Sequence, residues 1–206
     1  MSQNTSGARA IFSLAWVYRL AQWGIGATNF RKVVSSEYVR PTPDMRVFDI
    51  GSGTSDIVGD LGDVEYFGLE PSEAYATAAR ERLGDRATII TGGIDDFDPT
   101  PWTASCDTVL SIGVLHHLSD DQAAALLRAA SVLLKPGGTF VAVDPCLVDG
   151  QHAIARALIT RDRGQHVRSA EQMRTLTSTF FPQATIATRH DLLRVPYTHS
   201  IVRANV

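Results

Sequence analysis

The chemistry legible in this chain lies in carboxylates set beside glycines and in a histidine pair further on. Val47 to Asp56 reads VFDIGSGTSD, and Tyr66 to Glu70 reads YFGLE. The first is an apolar strand running into a glycine turn and a helix start. The second is another strand, ending in an acid. Gly51 and Gly53 let the backbone approach a ligand where a Cβ would clash. A carboxylate at the position of Glu70 accepts two hydrogen bonds from ribose hydroxyls, so the pair of segments forms the nucleotide side of a βαβ unit.

Charge decides which nucleotide. A dinucleotide site of the form G-x-G-x-x-G/A seats a pyrophosphate on the helix N-terminus. Here Asp56 takes the third small position and Asp49 precedes the turn. Negative charge at that place opposes a phosphate and suits a ligand with a cationic head. S-adenosylmethionine carries a sulfonium, an ammonium and an adenosine, and fits that description. A G-x-G by itself is often only a tight turn, so its meaning depends on the segments downstream of it.

The elements needed to hold these residues alternate. Strands are expected near Arg46–Ile50, Glu65–Glu70, Thr88–Thr91, Thr108–Ile112, Thr139–Val143, Ala184–Arg189 and Tyr197–Arg203. Between them run a short helix closed by Gly62, a helix from N-cap Ser72 to Leu83, and a helix Asp120–Leu134 opened by a Ser119/Gln122 capping box. Pro136-Gly137-Gly138 should end that helix and turn the chain. A helix near Ala153–Thr160 comes next, then one opened by Ser169/Gln172 and reaching about Phe180. This alternation predicts an α/β, Rossmann-like, doubly wound and mainly parallel sheet with helices on both faces. Gly51, Glu70, Ile94, Ser111 and Asp144 then fall at or just past strand ends, where open α/β sheets bind ligands.

FDIGSGTSD, YFGLEPS, CDTVLSIGVLHHLSD and LLKPGGTFVAVD stand in this order from Phe48 to Asp144. In order and spacing they resemble the class I S-adenosylmethionine-dependent methyltransferases, of the small-molecule type. The resemblance covers roughly Met45 to Asp144, and the closing strands loosely. It implies a seven-stranded sheet whose last strand is antiparallel. It also implies S-adenosylmethionine as cofactor, S-adenosylhomocysteine as product, and no metal. The cofactor site expected from it comprises Asp49, Gly51, Ser52, Gly53, Glu70, Pro71, Ile94, Asp95, Ser111 and Ile112. Glu70 would hold the ribose, Asp95 would meet the adenine, and Ser111 with Ile112 would flank the methionine part. Two positions depart from the family pattern. Ser55 stands where a third glycine is usual, and Gly93 where an acid often follows the third strand.

Methyl transfer from a sulfonium is a direct displacement, so positioning supplies much of the rate. A hydroxyl acceptor must also lose a proton. His116 and His117 are the natural bases, and His117 is the favoured catalytic residue. Its plainer reading is a structural hydrogen-bonding histidine. Asp144, Tyr197, His199 and the mixed-charge run Arg161–His166 are weaker candidates near the acceptor.

The 206 residues carry a net charge of −3 and two cysteines, Cys106 and Cys146, with no metal-binding spacing. The length suits a single domain over 1–206, with a helical N-terminal cap over 1–40 and a cofactor-binding core over 44–206. The charge balance argues against nucleic acid as partner. Apolar stripes at helical spacing, Ile11 to Ile25 and Phe12 to Trp23, suggest an aromatic or lipid-like small-molecule acceptor and a homodimer through the N-terminal helices. Arg9, Arg19 and Gln22 interrupt that segment, so no stable membrane span is expected. Cysteine usage fits a cytoplasmic setting. The expected activity is transfer of a methyl group to a small molecule, at oxygen before nitrogen or carbon. Its rivals are a cofactor-binding enzyme of another reaction type (a cyclase or a carboxymethyl-forming enzyme), a non-catalytic cofactor-binding module serving a partner, and a nucleotide-dependent dehydrogenase.

Overall fold

A computed structural model describes residues 26–161 and 166–206. The apolar stripes of the N-terminal segment, and most of the run Arg161–His166, lie outside the described residues.

Among the described residues, eight strands succeed one another along the chain: β1 Arg46–Ile50, β2 Glu65–Glu70, β3 Ala87–Thr91, β4 Cys106–Ile112, β5 Leu134–Leu147, β6 Arg168–Ser169, β7 Thr185–Arg189 and β8 His199–Asn205. Seven of them form one path in the order β3-β2-β1-β4-β5-β8-β7, and β6 pairs with β5 off that path. Strands β1 to β5 pair in parallel, while β8 runs antiparallel to both β5 and β7. The expected doubly wound sheet with its antiparallel closing strand is therefore present.

Alternation along the strands explains the layers. Val47, Tyr66, Leu110, Val141, Val143 and Ile201 enter one apolar core, and Phe48, Phe67, Val109, Phe140, Ala142 and Val202 enter the other. Successive side chains point to opposite faces, so a strand apolar at every position must be covered on both. On the first face lie helices α1 Ala27–Val33, α2 Val58–Leu61 and α3 Glu73–Leu83, with a π-helical turn Val34–Val39 after α1. The second face is covered by α4 Asp120–Leu133 and α6 Ala170–Ser178, and α5 Ala153–Thr160 precedes β6. Leu126, Leu127 and Leu133 of α4 are fully buried, and each such side chain contributes roughly 1.5–3 kcal/mol.

The start signals act as the sequence suggests. Ser72 caps α3 by accepting the Tyr75 N–H, and both capping boxes are formed, Ser119 with Gln122 and Ser169 with Gln172. The Pro136-Gly137-Gly138 stretch differs from expectation. α4 stops at Leu133, and β5 already begins at Leu134, well before Thr139. Leu134 pairs with Cys106 and Thr139 with Thr108, so the proline–glycine segment bulges inside the strand. The bulge is held because the Gly137 N–H donates to the Val206 carbonyl and the Val206 N–H to that of Gly138. Strand order reverses between β1 and β4, which places the topological switch at the center of the carboxyl edge.

Candidate functional site

Two groups of side chains meet at that edge. The first surrounds the turn after β1. The N–H groups of Gly51 and Ser52 both donate to the Leu69 carbonyl, at 2.7 and 3.0 Å, which ties the turn to β2. Gly51 has φ +78°, and a Cβ on it would lie 2.5 Å from Val114 Cγ2, just beyond β4. Gly53, at φ +55°, has open space where its Cβ would be. Only glycine meets the first demand without strain. Ser55, in the position of the missing third glycine, adopts φ +54°. It therefore holds a conformation that costs an L-residue roughly 1–2 kcal/mol.

Glu70 governs this turn. One carboxylate oxygen accepts the Gly53 N–H at 2.8 Å, and the other accepts the Ser72 N–H at 2.8 Å. Burial raises its pKa, against the lowering effect of those two N–H groups. Each oxygen keeps a further lone pair, so the carboxylate fixes the turn and still has capacity for hydroxyls. Pro71 beside it is exposed, and Ser52 packs against Gly68.

Asp49 is buried on the same face. Burial, and then the charge of Glu70, push its pKa up to about 6 against the lowering effect of a 2.7 Å hydrogen bond donated by Tyr66. Among the described residues its Oδ1 has no hydrogen-bond partner. A buried, half-satisfied carboxylate is costly unless a donor or cation meets it. Asp56, by contrast, is already paired: Arg82 lies 3.3 Å from it and Thr54 donates to it. The charge that opposes a pyrophosphate at this turn therefore resides in Asp49 and Glu70, not in Asp56.

The second group follows β4 and β5. Ser111 is fully buried, and its hydroxyl has no partner among the described residues. Ile112 is half-buried against the core. The chain then makes a 3-10 turn, Leu115–His117. His116 is buried, and its Nδ1 lies 2.7 Å from Asp144 Oδ1, which also accepts the His116 backbone N–H. An ionised carboxylate only accepts, so Nδ1 donates the proton in this contact. His117 is exposed, and its ring lies 3.9 Å from that of His116. The favoured histidine thus faces outward, while its neighbour makes the Asp144 contact. His199, at the start of β8, packs on Phe30 and Tyr197, and burial followed by the charge of His116 pushes its pKa down to about 4.

Ile94 and Asp95 lie in the loop after β3. Ile94 packs against the core, and Asp95 accepts a 2.7 Å hydrogen bond from Gln122 in the first turn of α4. Beyond β5, a cavity of about 520 Å3 opens between Val148, Gln151, Ala155, Val195, Tyr197 and Thr198. Of the sequence candidates, only Tyr197 lines it.

Two further residues, Tyr66 and Arg168, belong to the site without being candidates from sequence. A signal for Tyr66 exists: its register partner Val47 stands two residues before Asp49, on the same face of β1. For Arg168 there is none, because its contacts to Leu115, Leu118 and Asp120 span 53, 50 and 48 residues. Among the described residues no group of metal-ligating side chains occurs, and no helix is long and apolar enough to cross a membrane.

With this geometry in place, the kinship is direct. A family profile described as "Methyltransferase domain" matches residues 48–140. An uncharacterized methyltransferase of Geobacillus kaustophilus is 32% identical over 147 residues, 70% of this chain and 67% of the relative. One from Geobacillus sp. strain WCH70 is 36% identical over 124 residues, 58% of this chain and 56% of the relative, so the match spans little more than half of that protein. A solved structure from Thermotoga maritima, described as a SAM-dependent methyltransferase and possible histamine N-methyltransferase, superposes with a TM-score of 0.69 at 18% identity, over 95% of this chain and 96% of that one. The chain belongs to the methyltransferase family, and its fold is that of solved S-adenosylmethionine-dependent methyltransferases. Among the described residues it has that family's Rossmann-like core and a helix ahead of the first strand.

Proposed function

We propose that this protein transfers the methyl group of S-adenosylmethionine to a hydroxyl of a small-molecule acceptor. The observation that carries the reading is the buried His116–Asp144 pair, seated across the β1–β4 switch from an acid-lined glycine turn. The residues fit the cofactor. The Asp49 Oδ1 and the Ser111 hydroxyl, unpartnered among the described residues, suit an ammonium and a carboxylate, respectively. Glu70 suits a ribose, the open side of Gly53 admits a ligand against backbone, and Ser52, Pro71, Ile94, Asp95 and Ile112 border the same edge. When bound, the sulfonium supplies an electrophilic methyl carbon.

The chain's own residues then hold and deprotonate the acceptor. His116 Nε2, with Asp144 fixing the ring through Nδ1, accepts the hydroxyl proton, and Asp144 stabilises the imidazolium. A neutral amine needs no such base before attack, which favours oxygen over nitrogen. His117, exposed and with its ring tilted against that of His116, is assigned to the mouth of the site, where it guides the acceptor. The cavity beyond β5, whose walls mix Val148, Val195 and Tyr197 with Asp149, His190 and Arg194, is of a size for one small molecule. Residues 44–206 are the catalytic core in this reading and 1–40 its cap, the latter a surface for a homodimer; the setting is cytoplasmic.

The test is S-adenosylhomocysteine formation with panels of phenolic, aliphatic-alcohol and amine acceptors. Turnover with phenols that is lost in His116→Gln is expected. Turnover confined to amines and indifferent to His116 overturns the oxygen assignment.

A further inference from the structure

We propose that Arg168 is a positioning residue for His116, setting the histidine's distance from Asp144 through the main chain of the loop that carries it; this rests on reading the His116–Asp144 pair as the base. The guanidinium is almost wholly buried. Nη1 donates to the Leu115 carbonyl at 2.6 Å, and Nη2 donates to the Leu118 carbonyl at 2.9 Å and to Asp120 Oδ1 at 2.7 Å. Those two carbonyls bracket His116 and His117. The His116 carbonyl itself accepts the His166 N–H at 3.0 Å. Three carbonyls of the histidine turn are therefore tied to one short segment.

That segment is also fastened to the other half of the pair. Arg168 belongs to β6, where its register partner is Cys146, two residues past Asp144 on β5. One residue thus spans from the strand bearing the carboxylate to the loop bearing the imidazole. Burying a guanidinium is costly, and an apolar side chain would fill the space with less desolvation. What an apolar side chain lacks is the planar fork, which can engage two carbonyls and a carboxylate at fixed angles. Asp120 holds the fork from outside: its side chain is 88% exposed, whereas that of Arg168 is 7% exposed. The clamp touches neither the glycine turn nor Glu70, so its effect is confined to the histidine side.

The experiment reads the imidazole directly by NMR, on the whole protein with S-adenosylhomocysteine bound. In the unaltered protein the His116 Nδ1 proton, held by Asp144, gives a slowly exchanging signal. In Arg168→Lys, which keeps the charge but loses the fork, exchange accelerates by about tenfold or more. Affinity for S-adenosylhomocysteine, measured by calorimetry, stays within about twofold. Asp120→Asn, a surface change that leaves the core intact, accelerates exchange in the same direction by less, and it decides the matter if Arg168→Lys does not fold. Unchanged exchange in these variants overturns the role of Arg168 while leaving the base standing. Absence of the signal from the unaltered protein removes the base, and the proposal with it.

Discussion

The two sides of the β1–β4 switch are built differently. On the glycine-turn side, one carboxylate holds main-chain N–H groups: Glu70 accepts from Ser72 two residues away and from Gly53 seventeen away. On the histidine side, side chains reach far along the chain, with Asp144 28 residues from His116 and Arg168 53 from Leu115. The first side is rigid because its main chain has no alternative. The second is rigid only while several side chains agree. Loss of one contact should therefore be graded on the histidine side and abrupt at the glycine turn.

The largest expected break is catalytic. His116→Gln should lower turnover by about 10²- to 10⁴-fold, with S-adenosylhomocysteine affinity unchanged. His117→Gln should lower it by less than about tenfold, since its ring stands outside that of His116. Steady-state kinetics alongside calorimetry would show it, and equal losses at the two positions would erase the distinction between them. Next in size is Gly51→Ala, where the new Cβ meets Val114 at 2.5 Å under a positive φ. Overpacking and backbone strain together should cost about 2–5 kcal/mol in urea unfolding. Gly53→Ala, which meets nothing within 4 Å, should cost only about 1 kcal/mol, from its positive φ.

Acid should separate the two sides by sign. Asp49, raised to about 6, binds its proton more readily in the fold than in the unfolded chain. Its contribution to stability is therefore present below its ordinary pKa and is lost as pH rises through about 6. His199, lowered to about 4, resists protonation in the fold. Its contribution is present above its ordinary pKa and is lost as pH falls toward about 4. Each is worth up to about 3 kcal/mol. Unfolding at a series of pH values, with Asp49→Asn and His199→Gln, should remove opposite slopes. An ammonium ligand on Asp49 prefers the charged form, so S-adenosylhomocysteine should also bind more weakly below about pH 6. Affinity flat across that range would detach Asp49 from the cofactor. As small as the Gly53→Ala effect, and opposite in sign, is Ser55→Gly, which relieves the left-handed backbone and should raise stability by about 1 kcal/mol.

The same contrast governs what is legible in the chain. Strands β1 and β2, the Glu70 carboxylate and both capping boxes are local statements, written in runs of a few residues, and the structure has them at those positions. The proline–glycine bulge in β5 escapes such reading because what holds it is Val206, distant in sequence. Asp56 looks like a free charge because nothing local announces Arg82 as its partner. Choosing between His116 and His117 requires knowing which one Asp144 reaches, and that depends on how the 3-10 turn packs. Arg168 sits in a segment whose only sequence feature is mixed charge. Where a contact is made by side chains across many residues, periodicity and caps are silent.

Adjacency of β1 and β4 has a kinetic side as well. These strands are neighbours in the sheet, yet the hydrogen bond from the Arg46 N–H to Asp107 spans 61 residues, and β2, α3 and β3 intervene. Closing so long a loop is slow, and a refolding intermediate that has only β1, β2 and β3 in place lacks Val114 against Gly51. Such a species has half a crevice. Ligand added to a refolding reaction should then leave the early collapse alone and slow unfolding instead, so that cofactor capture marks the moment the two halves of the sheet join.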